Sequence, residues 1–532
     1  MTANLQADQV QEERNTAQEA EGVARATAIV ALGNISSRIL GLLREIILSN
    51  MFGAGLAVDA FKIAIIVPRG IYDLLIGGHV NSALVPVLSA HAERDRDDLW
   101  RLLSALLTLI VLVMAGLVLL IEILAPNIIA LVSSSDANAE LQNEATQLLR
   151  ITNPALFFLS LFAVLSSLLY ALRRFTFPSF AASIFNLTIV ITIALSATQL
   201  GIRGAALGWL LGSIVQLVIQ WLGLRGTGAR FTPRLWHPAI QTVALLYAPV
   251  MFSLALDVLI NRPFSYNLAS STGTGSISYM DWATTLMQFP HGLVATAISV
   301  AVLPTLSRQA GILGDPAAFK ATLGLGLRLT LSLIIPAAVG LIVLATPVVA
   351  LIFEHGAFTA RDTDMTALAL RLYLLGLPFA AIDLLLVFAF YARQDTLTPA
   401  IIGLLSLAAY MVTAIALLPY YSFFALMIAD SVKHFIHASV SGYILLRRIG
   451  GLPGQRIAQT GLLALLAALV MGVIGWGLAH VLSDVLNTDQ LLGEVLLVSI
   501  AGGVSGVFYL LLVHVLGVQE ISLFLRQVRQ RL

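Results

Sequence analysis

The sequence predicts an all-α polytopic membrane protein of fourteen transmembrane helices, built as two six-helix lobes related by an internal repeat, with two further helices at the C-terminus. Three observations lead there. Hydrophobic residues make up 58% of the 532 and charged residues 11%, with a mean hydropathy of +0.91, values that a water-soluble globule of this length does not tolerate. Apolar stretches of about 20 residues, enough to cross a hydrocarbon core of roughly 30 Å, recur along the whole chain. Two short motifs also return at nearly the same separation.

Residues 1–25 are polar and mostly acidic, without the basic start and short apolar core of a cleaved signal, and read as a loose cytosolic tail. The first lobe, 26–234, holds spans near 26–50, 57–88, 99–125, 146–172, 176–198 and 204–224. The second, 235–450, holds spans near 238–266, 276–304, 320–353, 364–391, 397–418 and 423–446. Residues 451–518 supply the last two, near 457–482 and 491–517, and 519–532 form a second cytosolic tail. Charge distribution orients them. With the N-terminus inside, the cytoplasmic connections collect Arg94, Arg96, Arg173, Arg174, Arg225, Arg230, Arg393, Arg447, Arg448, Arg526, Arg529 and Arg531, while the outer ones hold little beyond Arg203 and Arg361. That asymmetry fits an even number of spans.

The repeat rests on two matches. Pro86-Val-Leu-Ser-Ala-His-Ala92 returns as Pro304-Thr-Leu-Ser-Arg-Gln-Ala310, an offset of 218, and Tyr170-Ala171 with Pro178 returns as Tyr391-Ala392 with Pro399, an offset of 221. Both keep their place within a six-helix unit, the pattern of transporters with parallel repeats. Gly472, Gly475 and Gly477, then Gly502 and Gly506 in GxxxG spacing, mark close packing for the last two spans.

Charges inside these spans are the candidate functional groups, since each Arg, Lys or Asp at a helix centre costs roughly 2.5–3.5 kcal/mol and is kept only when paired, hydrated or useful. Arg38, Arg44 and Glu45 lie on the first span. Asp59, Lys62, Arg69 and Asp73 fall within about 80° on the second, so that Asp59 can meet Lys62 and Arg69 can meet Asp73, although Pro68 is expected to kink the helix. The eighth span presents Asp281, Thr284, Thr285, Gln288 and His291 on one side. The twelfth presents Asp430, Lys433, His434 and His437, a hydrated or structural face rather than a metal site, because the lysine repels a cation. Asp257 and Asn261 lie one turn apart on the seventh, followed by Arg262 and Pro263.

The net charge of +1 gives no reason to invoke nucleic acid. Zero cysteines exclude disulfides and thiolate metal sites. P-loop, GxSxG and HExxH motifs are absent, so the chain is read as a transporter and not an enzyme, with no cofactor, and its energy must come from an ion gradient, the membrane potential or the substrate gradient.

SRILGLLRE (37–45), FGAGLAVDAF (52–61), LVPVLS (84–89), LMQFPHG (286–292), LPTLS (303–307), FEHGAFTARDT (353–363) and FYARQDTLTP (390–399) together resemble the MurJ/MviN lipid II flippases of the MOP superfamily. The resemblance covers residues 26–515. It implies a monomeric, fourteen-helix flippase of the bacterial cytoplasmic membrane, both termini inside. Such a protein moves the undecaprenyl-linked peptidoglycan precursor to the outer leaflet by alternating access, among membrane lipids and under an ion gradient or the membrane potential.

Carried onto this chain, the resemblance makes Arg38, Arg44 and Asp59 cavity residues. It also shows departures. Tyr72 and Asp73 stand where these flippases have an arginine pair, Thr285 stands at the arginine of the eighth span and Gln288 at the neighbouring glutamate. Lys62, Arg69 and Arg262 are the cations left to compensate. Some members bind sodium in the second lobe, but the eleventh span here lacks a carboxylate, which leaves Asp257 and Asp430 as candidates for ion or proton coupling. The alternatives are a MATE-type cation or drug antiporter, a flippase of another polyprenyl-linked glycan, and a membrane scaffold.

Overall fold

The computed structural model describes residues 2–76, 79–134, 139–311, 315–488 and 490–518, and among them every regular element is a helix. Ten helices are long and apolar enough to cross a membrane, or eleven if the pair Ala139–Thr152 and Ala155–Ala171, bent by 40°, is one span. Fourteen spans are therefore not counted by length and composition alone. The three expected spans beyond these are 57–88, whose helix Leu56–Ile76 carries Asp59, Lys62, Arg69 and Asp73, 423–446, made polar by Asp430, Lys433, His434 and His437, and 238–266.

By compactness the chain forms two units, Met1–Phe52 with Leu56–Asn267, and Gly53–Gly55 with Leu268–Leu532. The first unit thus takes in the seventh span, which the sequence repeat assigns to the second lobe. Its helices are α1 (Thr2–Phe52), α2 (Leu56–Ile76), α3 (His79–Arg94), α4 (Arg96–Val132), α5 (Ala139–Thr152), α6 (Ala155–Ala171), α7 (Thr176–Leu200), α8 (Arg203–Gly223), α9 (Ala239–Leu256) and α10 (Arg262–Ser270), within which the unit ends. The second unit continues with α11 (Ser276–Pro290), α12 (Ala297–Ala310), α13 (Pro316–Val343), α14 (Ala345–Phe353), α15 (Ala360–Ala392), α16 (Leu397–Tyr421), α17 (Phe424–Ile449), α18 (Ile457–Val485) and α19 (Leu491–Val515). Residues 519–532, the expected C-terminal tail with Arg526, Arg529 and Arg531, lie outside the described residues.

A loose N-terminal tail is not what forms: α1 starts at Thr2 and runs unbroken into the first span. Residues 2–25 are rich in Ala, Glu and Gln and contain no Pro, so helix propensity suffices to extend it. Pro68 lies inside α2, which runs from Leu56 to Ile76.

Lipid-facing and inward-facing sides separate cleanly. Ile123, Leu195, Val412, Val485 and Val515 are strongly exposed, while Asp59, Lys62, Gln216 and Gln220 are buried. A membrane protein in a bilayer inverts nothing in its core but covers its outside with apolar side chains, as here. Small and polar residues bring helices together. Gly33 of α1 approaches the backbone of Ser179 so closely that no Cβ would fit, and on the following turns Ser36 and Ser183 share a 2.6 Å hydrogen bond. α7 and α8 meet through Gly204, Gly208 and Gly212, a face of small residues at four-residue spacing. Between α18 and α19, Gly475 faces Ser505, whereas Gly477 and Gly506 have open space beside them, so only part of the expected glycine pattern is a helix contact.

The repeat is visible in backbone detail. α7 and α16 have the same length, 25 residues, with every boundary offset by 221. Arg173 and Gln394, also 221 apart, both turn with positive φ (57° and 60°), and the next amide closes the same loop, Arg174 N–H to Leu169 O at 2.8 Å and Asp395 N–H to Phe390 O at 3.0 Å. Beyond these helices Gly201 and Ser422 adopt matching left-handed conformations (φ 57° and 54°). Leu88 and Leu306, equivalent in the Pro-x-Leu-Ser motif, are each fully buried in the core of their own unit.

Candidate functional site

Two charged clusters occupy the first unit. At the first, Glu45 of α1 is buried and accepts from Arg44 Nη2 at 2.6 Å and from Lys62 Nζ of α2 at 2.7 Å. Arg44 also donates to Asn186 Oδ1 at 2.9 Å and lies 6.0 Å over the ring of Trp209. Lys62, expected to pair along its own helix with Asp59 and to line a cavity, is 2% exposed and bonded to Glu45. Asp59 is equally buried. Glu45, which sequence reading treats as a structural partner, holds the cluster together. Arg38, two turns earlier on α1, is exposed.

The second cluster joins α2 to the segment before α10. Arg262 donates from Nη1 to Asp73 at 2.6 Å and from Nε to Asp257 at 3.1 Å, and Asn261 donates to the other oxygen of Asp257 at 2.7 Å. Arg69 faces the same guanidinium. Asp73, expected to meet Arg69 at i+4, is held across helices by Arg262. The sequence hid this because residues 257–261 form a π turn, in which the amide of Arg262 bonds to Asp257 O. Pro263 lacks the N–H that an α turn would use, which favours the wider turn. A second π turn, His291–Thr296, begins directly after Pro290.

Thr285 and Gln288 lie on α11 of the second unit, where Thr285 Oγ1 donates to the carbonyl of Asp281 at 2.9 Å and Gln288 is exposed. Asp430 on α17 bonds Lys433 at 2.5 Å and lies 3.7 Å from His434. Asp383 of α15, which sequence reading missed, bonds His437. Its single signal was a carboxylate in the apolar run AAIDLLLVF.

Outside the spans, Asp395 connects α15 to α16. Burial pulls its carboxyl upward, but the Thr398 hydroxyl and amide, together with Arg448, outweigh this and hold it below the usual carboxylate range. At the junction of α3, α4 and the segment before α9, His91, Asp98 and His237 bring three donor atoms within 4.8 Å. His237 Nδ1 accepts the amide of Ala239 at 3.2 Å, so its Nε2 carries the hydrogen toward Asp98, and Arg101 reaches the same carboxylate at 3.3 Å. This is a hydrogen-bonded clasp complete in itself. Arg25, Asn34, Arg173 and Arg174 line a separate open cavity beside the start of the first span.

Three comparisons bear on this arrangement. Residues 48–494 match the family described as lipid II flippase MurJ. A probable lipid II flippase MurJ from Haemophilus influenzae is 29% identical over 470 residues, 83% of this chain and 89% of that protein. A solved lipid II flippase MurJ in an inward closed conformation superposes with a TM-score of 0.77 at 27% identity, covering 92% of this chain and 99% of the other. An inward-facing multidrug resistance MATE family transporter of the MOP superfamily gives 0.65 at 16% identity over 78% and 95%, a likeness of fold alone.

Proposed function

Because this chain belongs to the lipid II flippase MurJ family, a family of transporters and not enzymes, we propose that it moves lipid II from the inner to the outer leaflet by alternating access. It is a multi-pass protein of the bacterial inner membrane. We further infer that both termini face the cytoplasm, from the excess of arginine on that side of the expected topology.

The observation that carries the reading is Arg262. The family's arginine pair on the second span is replaced here by Tyr72 and Asp73, and the guanidinium of Arg262 lies 2.6 Å from Asp73 with Arg69 beside it. A cation is thereby restored to the neighbourhood from which two were lost. Guanidinium suits a pyrophosphate because its planar fork donates two hydrogen bonds at once. Arg262 is 31% exposed, so an incoming phosphate could compete with Asp73 and Asp257 for it. Arg38, exposed on α1, is a second cation for the cargo, while Lys62 is assigned to the fold. Thr285 and Gln288 contribute polar, uncharged groups, which leaves the pyrophosphate to the first unit.

Expression in a bacterium depleted of its own lipid II flippase tests the reading, with precursor exposed on the outer leaflet as the measurement. Restored exposure is expected. Good membrane insertion without any restoration would reject lipid II as cargo, and an Arg38→Ala variant that restores exposure fully would remove Arg38 from the site. A MATE-type antiporter would instead protect cells from cationic drugs and leave precursor exposure unchanged.

A further inference from the structure

The second unit contains a group of ionisable side chains that transport of an anionic lipid does not itself require. Asp383 of α15 is hydrogen-bonded to His437 Nδ1 of α17, at 14% and 13% side-chain exposure. Ser441, one turn further on, reaches the same nitrogen at 3.3 Å. On the adjoining turn Lys433 bonds Asp430 at 2.5 Å, with His434 3.7 Å from that carboxylate. α16 borders the group: Tyr410 lies 5.5 Å from the ammonium of Lys433, and a Cβ on Gly403 would stand 3.8 Å from His437 Nε2. The remaining titratable groups that face it are Tyr373 and Tyr391 on α15, Asp281 on α11 and His291 on the π turn.

Charge balance gives this arrangement its meaning. Asp383 and Asp430 together face one permanent cation, Lys433. With the imidazoles neutral, the seam between α15 and α17 is left net negative inside membrane-length helices, where an unbalanced charge costs several kcal/mol. One proton on His437 removes the imbalance. An ionised Asp383 only accepts hydrogen bonds, so Nδ1 carries the hydrogen toward it, and Nε2, facing the gap left by Gly403, is the atom that takes up the proton. A metal ion fits less well, since the ammonium of Lys433 lies one turn away and, among the described residues, no group of three metal-ligating side chains forms here.

We propose that the His437–Asp383 pair is a proton-binding site of the second unit, through which a proton gradient acts on the transport cycle. The link to the cycle rests on the flippase reading above; proton binding itself does not. Histidine-selective NMR of the full chain in detergent, with [13Cε1]-histidine, examines binding without any cargo. The resonance lost in His437→Gln should move with pH, and that response should differ in Asp383→Asn, which removes the anion that favours the imidazolium. A resonance that does not move with pH, or an unchanged response in Asp383→Asn, would overturn the site.

Coupling is read in proteoliposomes holding a polyprenyl-pyrophosphate lipid, with the membrane potential clamped, as the ratio of flipping rates with and without a pH difference. A several-fold ratio in the wild-type chain that falls to about one in both variants is expected. A ratio kept by both variants would overturn coupling through this pair. Absence of flipping by the wild-type chain beside a normal histidine titration would reject the flippase reading and leave the proton site standing.

Discussion

The two units of this protein deal with buried charge in opposite ways. In the first, carboxylates are matched by permanent cations: Glu45 by Arg44 and Lys62, Asp73 and Asp257 by Arg262 with Arg69 beside it. In the second, two carboxylates share one lysine and the rest of the balance falls to imidazoles. Arg and Lys stay charged at any physiological pH, whereas His changes charge within it. A fixed set of charges suits recognition of an anion, and an adjustable set suits response to an ion gradient.

The comparison breaks most severely at Glu45. Replacing it with Ala removes the carboxylate that joins buried Lys62 to Arg44, and loss of one partner from a buried pair costs about 3–5 kcal/mol. Thermal unfolding of the detergent-solubilised protein should show a drop of many degrees for Glu45→Ala, and Glu45→Ala with Lys62→Met should recover much of it. If Glu45→Ala melts like the wild-type chain, the cluster does not hold α1 to α2.

Arg262 gives the next largest effect. Charge-assisted hydrogen bonds contribute about 1.5–3 kcal/mol, so Arg262→Ala should slow flipping by about ten-fold or more, measured as initial rate in proteoliposomes. Arg262→Lys keeps the charge but loses the fork that spans Asp73 and Asp257, and should fall between the two. Neither deficit should change between about pH 6 and 8, as a permanent cation requires; a deficit that appears only in alkaline buffer would erase the contrast between units.

A smaller effect follows from the repeat. Gly201 of the first unit and Ser422 of the second hold the same left-handed conformation, which carries a strain of about 1–3 kcal/mol for a residue with a Cβ. Ser422→Gly should raise unfolding stability by about 1 kcal/mol, somewhat less than the strain because glycine also loosens the unfolded chain.

Asp395 offers the weakest test and a control within the second unit, being paired with a permanent cation. Its carboxyl is depressed in the folded state, so the stability it gives is present above the unfolded value of about 4 and is lost as pH falls through the folded one. The melting difference between the wild-type chain and Asp395→Asn should stay within about 1 kcal/mol at neutral pH, as for other exposed pairs. It should close on acidification. A difference that grows as pH falls would reverse the assignment.

Sequence reading recovered what depends on composition and on local spacing. Membrane-length helices, the repeat and the Asp430–Lys433 and Asp257–Asn261 pairs follow from hydropathy and from residues three or four apart. It did not recover pairs made between helices. Lys62 bonds Glu45 of another helix, and Asp73 bonds Arg262, 189 residues away. A helical wheel ranks neighbours on one helix and has no information about the next. Asp383 escaped for a related reason: it stands alone among apolar residues, and its partner His437 lies 54 positions further on.

The π turn at Asp257–Asn261 has a bearing on how such chains vary. It accommodates one residue more than the α turn it replaces, so it is a place where a single residue can be gained or lost without disturbing the helix on either side. Deleting one residue there would restore regular α geometry with the helix beyond kept in place, so that only the side chains within the turn, Asp257 and Asn261 among them, would be aimed differently. Homologues that differ by one residue in this stretch would therefore present a different side chain to α2 while keeping every other helix in register.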